Sequence, residues 1–373
     1  MKVLLVDDEQ LAIDVLEILL GKLEGIEIVG KYTDPQIAFQ ELGKVEVDAL
    51  FLDMEMGGIH GLQFAEKLMT SFPCIDVVFV TAYPQFAMEA FEVNAIDYLL
   101  KPVNIERLTK AVSKIRERKK LYEGMKQKLE VEECPLFIRS MGAFHLLDSS
   151  LNEVKWRTKK SKELFAYLWH HRGDAIHRAR IIEDLWPGLP DDRAATLLHT
   201  TVYQVRKKIK EMGINNPIKL MNEQYMLNVD VPSDYGLLKE ILQSTQKTEK
   251  NIEKIMGLYQ GHYVEEEDYH WALHEQSTLK RFLLNYFEEY ISSEKKNKDS
   301  FYMIEHCLDK MIELEPYSEN YIILLLRHYG ETHNKQRMVA YFQVFKKMWI
   351  DELGLDLPQE IVTLYNEYII LDW

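Results

Sequence analysis

Asp7 and Asp8 follow the apolar run VLLV (3–6), Asp53 ends DALFL (48–52), Thr81 follows IDVVFV (75–80) and Lys101 follows DYLL (97–100). Carboxylates, a hydroxyl and an ammonium brought together could carry out phosphoryl transfer. Three carboxylates held close repel one another and raise their own pKa values unless a cation neutralises them. An all-oxygen ligand set with room left for water suits Mg²⁺. Beside such an ion, with a lysine and a threonine binding phosphoryl oxygens, one carboxylate can act as nucleophile. Asp53, alone at the end of the central run, is the candidate. Asp and Thr also serve as ordinary turn and cap residues. That reading accounts for any one of these five, and poorly for all five at the ends of four of the five runs.

The elements that must position them are legible in the same stretch. With IEIV (26–29) the apolar runs number five, and amphipathic stretches such as LAIDVLEILLGKL and GLQFAEKLMTSF alternate with them, so that the order is five βα units. Strands apolar on both faces suit a parallel sheet covered by helices on each side. In an open doubly wound α/β sheet the carboxyl ends of the strands form the ligand crevice, which puts all five residues on one rim.

LLVDDE, FLDMEM, VTAY and DYLLKP resemble the receiver domain of two-component response regulators, over roughly residues 1–117. The resemblance implies that Asp53 is the phosphoaspartate and that Asp7, Asp8, Asp53 and the Glu55 backbone carbonyl hold Mg²⁺. It further implies that Thr81 and Lys101 contact the phosphoryl group, that Thr81 and Tyr98 form the switch, and that the Lys101–Pro102 bond is cis. The sequence departs from the family at Gly57, where a proline is usual, so a looser loop is expected there.

The chain of 373 residues, 47% hydrophobic and 28% charged, reads as two or three globular domains. Cys74, Cys134 and Cys307 lack metal-like or CxxC spacing, no apolar run approaches the ~18 residues of a membrane span, and a cytoplasmic protein is expected. Net charge is −15, unevenly spread. Residues 155–210 carry 13 Lys/Arg against six acids, and residues 233–373 carry 15 against 25. A basic segment therefore lies inside an acidic chain.

Residues 118–134 continue the helical pattern after Pro102. Ile105, Leu108, Val112, Ile115, Tyr122 and Leu129 fit a 3-4 spacing with Lys119 and Lys126 intervening, which admits both a solvated linker and a homodimer-forming coil.

Residues 135–231 read as short strands (LFIRS, AFHLLD, EVKW), helices at about 160–172, 177–186 and 192–211, and a final hairpin, IKLMNEQYMLNV. On the third helix Leu198, Val202, Val205 and Ile209 form a buried stripe. Thr196, Thr200, Tyr203 and Lys207 lie opposite, with Gln204 beside them, a mixture suited to base edges. Lys159, Lys160, Arg178, Arg180 and Arg206 are placed for phosphates. The stretch is similar to the winged-helix output domain of response regulators, with VYQVRKKI in its recognition helix. The family's wing carries an arginine near its tip, where this sequence has Glu223, with Lys219 nearby.

Residues 232–373 are almost all helical pattern with helix-hairpin character. YQGHYVEEEDYHWA, LEPYSENY and DELGLDLPQEI resemble the bacterial transcriptional activation domain, a tetratricopeptide-like module of the antibiotic regulatory protein family of activators. The expected whole is a multidomain, non-enzymatic regulator: an α/β receiver, an α+β winged helix and an all-α helical-hairpin domain. Its expected partners are a sensor histidine kinase, double-stranded DNA, and RNA polymerase or another protein on the helical domain. The competing class is a phosphorelay adaptor whose basic domain binds protein or RNA.

Overall fold

A computed structural model describes residues 1–370 apart from 43, 57–58, 73–74, 84–94, 132–134, 295–296 and 298–299. The chain divides into two compact units, Met1–Lys239 with Glu253–Gln276, and Glu240–Ile252 with Ser277–Trp373.

The first unit opens with strands β1 (Lys2–Val6), β2 (Glu27–Tyr32) and β3 (Ala49–Leu52), a short hairpin of β4 (Glu55–Met56) and β5 (Ile59–His60), and strands β6 (Asp76–Thr81) and β7 (Asp97–Leu100). The sheet is parallel in the order β2-β1-β3-β6-β7. Alternate side chains serve opposite faces, as the period of two requires. Leu4, Val6, Leu50, Leu52, Val77 and Phe79 pack with Ala38, Leu42, Phe64, Ala65 and Leu68. Val3, Leu5, Ala49, Phe51, Val78 and Val80 pack with Ile13, Leu16, Leu20, Leu108, Ala111, Val112 and Ile115. Three helices covering these faces are α1 (Gln10–Leu20), α2 (Pro35–Leu42) and α3 (Gly61–Ser71).

The 27-residue helix Ile105–Val131 continues from the receiver stretch into the expected linker as far as Val131. Its first turns bury Leu108, Val112 and Ile115. Arg118 then pairs with Asp76 at 2.7 Å, and Lys119 with Asp48 at 2.7 Å. These two residues thus hold the helix to the amino-terminal edge of the sheet. Lys119 is engaged there rather than simply solvated. The side chains of Tyr122, Lys126 and Leu129 lie outside the described residues, as do Gly57, Cys74 and Cys134.

Next come β8 (Leu136–Arg139) and β9 (His145–Asp148), antiparallel. The expected third strand EVKW joins them only through a single bridge from Leu147 to Glu153. Helices Lys159–His170, Arg178–Leu185 and Asp191–Glu211 follow, with a three-stranded sheet in the order β10-β12-β11: β10 (Ile176–His177), β11 (Ile218–Met221) and β12 (Gln224–Leu227). Two residues in the left-handed region, Asn222 (φ 49°) and Glu223 (φ 61°), close the β11–β12 hairpin, as a twisted two-residue turn demands.

The packing of the first unit continues past residue 231. Trp169, Tyr235 and Tyr263 form an aromatic cluster, and His170 Nδ1 lies 3.0 Å from the Tyr263 hydroxyl. Burial, aided by His171, pushes the His170 pKa down to about 4 from its ordinary 6.5. Above pH 6.5 the ring is neutral folded or unfolded. Between 6.5 and about 4 the unfolded chain takes the proton first, so stability falls as the pH is lowered across that window, by about 3 kcal/mol at ~1.4 kcal/mol per pH unit. Urea titrations at pH 7 and pH 4.5 should show a smaller difference for His170→Gln than for the native protein.

The second unit contains helices Phe301–Leu314, Glu319–Glu331, Lys335–Leu353 and Gln359–Ile370, together with Ser277–Glu294, the greater part of the helix Leu273–Glu294. Tyrosine hydroxyls donate across the hairpins, from Tyr321 to Glu288 (2.9 Å), Tyr329 to Glu305 (3.0 Å) and Tyr341 to Asp309 (2.9 Å). A Cβ at Gly330 would stand 2.4 Å from the Tyr368 ring, so glycine permits the last helix to close against Glu319–Glu331. Among the described residues no helix is long and apolar enough to cross a membrane. The architecture is thus a multidomain one of parallel α/β sheet, winged helix and helical hairpins.

Candidate functional site

Strand register assembles the rim. Val6 lies opposite Leu52, and Leu52 opposite Phe79, so the next residues, Asp7 and Asp53, emerge side by side. Leu100 lies opposite Thr81, and the Lys101 amide donates to the Thr81 carbonyl at 2.7 Å, which brings the lysine over the same edge. The Lys101–Pro102 bond is cis. Asp7, Asp53 and Thr81 are buried and Asp8 is exposed.

One carboxylate oxygen from each of Asp7, Asp8 and Asp53 lies within 4.8 Å of the others. Lys101 Nζ sits 2.7 Å from Asp7 Oδ2 and 3.3 Å from Asp53 Oδ1. One ammonium thus bridges two of the three acids. Burial pushes the Asp53 pKa up and Asp7 adds to that, with Lys101 opposing. Burial pulls the Lys101 pKa down, but Asp7 and Asp53 outweigh it and the net shift is upward. The donor set fits a small hard cation, which binds oxygens at ~2.0–2.1 Å and retains several waters.

The backbone at Gly61 packs closely against that of Asp53 and Met54. Gly61 donates to the Met54 carbonyl at 2.7 Å, and a Cβ there would stand 2.4 Å from the Asp53 carbonyl. Gly61, which the sequence did not single out, is therefore part of the site's construction. A relay leaves the rim on the other side. Thr81 Oγ1 accepts from the Tyr83 amide at 3.3 Å, and the Tyr98 hydroxyl donates to the Tyr83 carbonyl. The side chain of Glu55 is exposed, and its carboxylate raises the pKa of Tyr83.

The second candidate face lies on helix Asp191–Glu211. Leu198, Val202, Val205 and Ile209 are buried, with Ala194 and Thr201 extending the stripe. Thr196, Thr200, Tyr203 and Lys207 are exposed on the opposite side. The hydroxyls of Thr196 and Thr200 donate to carbonyls one turn back, both at 2.9 Å.

Three residues read as DNA-facing are engaged elsewhere. Gln204 is half-buried, and its side-chain oxygen accepts from Ser161 Oγ (2.7 Å) and Thr158 Oγ1 (3.3 Å), bracing the start of helix Lys159–His170. Arg206 donates through Nε (3.2 Å) and Nη2 (2.8 Å) to the Ile218 carbonyl and so anchors β11. Lys160 donates to the Leu185 carbonyl (2.5 Å) and pairs with Glu163 (2.6 Å). Apart from Glu163, one turn on in the same helix, these partners come from other elements, which helical spacing alone could not foresee. Lys159 is exposed. Arg178 and Arg180 are exposed and pair with Glu223 at 3.3 Å and Asp184 at 3.8 Å.

Three family models match: Response regulator receiver domain over residues 3–113, Transcriptional regulatory protein, C terminal, over 152–223, and Bacterial transcriptional activator domain over 240–368. Sensory transduction protein LytT of Bacillus anthracis is 41% identical over 132 residues, 35% of this chain and 53% of that protein. The chain thus spans about half the length of the first such relatives. Transcriptional regulatory protein BtsR of Salmonella typhi is 36% identical over 176 residues, 45% of this chain and 73% of its own. Among solved structures, the response regulatory domain of mrkE from Klebsiella pneumoniae is 35% identical, covering 31% of this chain and 95% of its own, with a TM-score of 0.30. With the aspartate-lined rim in its parallel sheet and the winged helix behind it, the chain belongs to the response regulators, as a transcriptional regulatory protein that joins a receiver domain to a bacterial transcriptional activator domain.

Proposed function

We propose that Asp53 accepts a phosphoryl group from a sensor histidine kinase and that the winged helix binds specific double-stranded DNA in response. The observation that carries this reading is the rim itself, where Lys101 bridges Asp7 and Asp53 beside a buried Thr81. Asp7, Asp8, Asp53 and the Glu55 backbone carbonyl would hold Mg²⁺. When bound, that ion neutralises the carboxylates and draws charge from the phosphoryl oxygens. The Asp53 carboxylate attacks phosphorus, forming a P–O bond as the P–N bond to the kinase's phosphorylated histidine breaks and the imidazole leaves, while Lys101 and the Thr81 hydroxyl bind the remaining oxygens. Turning the Thr81 hydroxyl to donate to the phosphoryl group would shift its oxygen from the Tyr83 amide, so the Thr81–Tyr83–Tyr98 contacts would respond to a modification that makes residue 53 more negative by about 0.5 to 1 charge, the phosphoryl charge less the carboxylate charge it replaces.

Leu11, Val15 and Ile18 form an exposed apolar stripe along α1, which begins just after the acidic pair. Such a stripe suits docking of a kinase helix. Leu11→Lys with Ile18→Lys should slow transfer from the kinase roughly tenfold or more while leaving labelling by acetyl phosphate unchanged. An equal effect on both donors would separate this face from kinase docking.

Thr196, Thr200, Tyr203 and Lys207 supply the base-facing side, and Lys159, Arg178 and Arg180 the phosphate-facing cations. The C-terminal helical unit offers a surface for RNA polymerase or another protein. The acid at the wing tip favours a second reading, the adaptor that binds protein or RNA.

A further inference from the structure

The wing hairpin places an acid on the face assigned to DNA, and the side chain is not idle there. Glu223 Oε1 lies 3.3 Å from Arg178 Nη2, and its Oε2 lies 3.5 Å from His177 Nε2. The Arg178 amide also donates to the Glu223 carbonyl at 2.9 Å. Backbone and side chain both tie the turn to the start of helix Arg178–Leu185. At φ 61° a glutamate costs more than the glycine or asparagine such a turn prefers, which argues that its side chain has a use. Arg178 and Glu223 are both exposed, at 45% and 55% of their side chains, so the pair is open to competition by an anion from solvent. An exposed ion pair of this kind is worth at most about 1 kcal/mol, cheap enough to be broken on binding.

We propose that Glu223 is an internal competitor for DNA phosphate. It holds the Arg178 guanidinium in the free protein, and phosphate must displace it when the winged helix docks. This inference rests on the DNA-binding reading. Every duplex must displace it, so it lowers the affinity for random and selected sequences by a similar factor, and only a duplex that also supplies base contacts stays bound once that cost is met. Lys160 with Glu163 and Arg180 with Asp184 lie within single helices. Glu223 is different in reaching from the wing to a helix.

The test is fluorescence anisotropy with the full-length phosphorylated protein, using one random duplex and one selected duplex, over a series of KCl concentrations. Glu223→Gln should bind both duplexes roughly three- to tenfold tighter near 0.1 M salt, with log K falling more steeply against log salt by up to about one unit, because one more net positive charge meets the phosphates. Glu223→Asn, which removes the charge and suits the left-handed turn, should behave the same way, separating lost charge from a damaged wing. Adding Arg178→Gln to either variant should abolish the gain. Native binding with no change in slope or affinity in either variant overturns this inference alone. Absence of binding by native and variant proteins alike overturns it together with the DNA reading.

Discussion

Asp53→Asn should take up no phosphate from acetyl phosphate in the presence of Mg²⁺, whereas the native chain should gain one acid-labile group. Asparagine has nearly the volume of aspartate, and the backbone bond from the residue 53 amide to the Val6 carbonyl (2.9 Å) does not depend on the side chain. The 2.7 Å pair of Lys101 with Asp7 also stays in place. The substitution thus removes the nucleophile and little else. The loss should be complete, since Asp7 is already engaged by the Glu9 amide (3.0 Å) as well as by Lys101. Chelation of Mg²⁺ should abolish labelling of the native chain as well, because without the ion burial and Asp7 push Asp53 toward its neutral, non-nucleophilic form. Phosphate-dependent mobility on gels, or intact mass measured at neutral pH, reads both results. Equal labelling of the variant would remove Asp53 from the role.

The second large effect is on stability. Asp234 is buried, and its carboxylate accepts from the Ser140 amide (2.9 Å to each oxygen), the Ser140 hydroxyl (2.8 Å), the Met141 amide (3.1 Å) and the Tyr235 amide (2.7 Å). It joins the end of β8 to the start of helix Asp234–Leu242, two segments 94 residues apart in sequence. Asp234→Ala strands three amide donors and a hydroxyl in a buried place, each costing ~1–3 kcal/mol when unpaired, and relaxation reduces the sum to about 4 kcal/mol. The melting temperature of the first unit should fall by roughly 10 °C. Asp234→Asn keeps one acceptor oxygen and should fall between the two. Thermal unfolding followed by near-ultraviolet circular dichroism is the measurement, and a loss below about 1 kcal/mol would mean that water replaces the carboxylate.

Those two residues differ in how far they could be read from sequence. The five parallel strands and their rim were legible because four of the five apolar runs end on a residue that matters, and a doubly wound sheet has one crevice in which such ends meet. Asp234 reads only as a polar residue at a helix start, since Ser140 is invisible from its neighbourhood. The same holds for Gln204. Turning 100° per residue put it beside Tyr203, and only the approach of Thr158 and Ser161 from another helix decides that its amide is structural. β10, two residues long, carries too little pattern to be recognised, yet it supplies the edge that pairs with β12 at His177 and Gln224. Glu223 was legible as an acid at the wing tip, but its pairing with Arg178 required the fold.

In the proposed function, phosphorylation of Asp53 controls recognition of a particular DNA sequence by the winged helix. A selection from random duplexes, run side by side with the phosphorylated native protein, Asp53→Asn and Tyr203→Ala, tests it most directly. The phosphorylated protein should enrich one motif, Asp53→Asn should enrich it weakly or not at all, and Tyr203→Ala should change the preferred bases at a cost of about 1–3 kcal/mol per lost contact. Enrichment of no sequence at any salt concentration, with residues 135–231 instead retaining a defined protein or RNA partner, would contradict the account in favour of the adaptor.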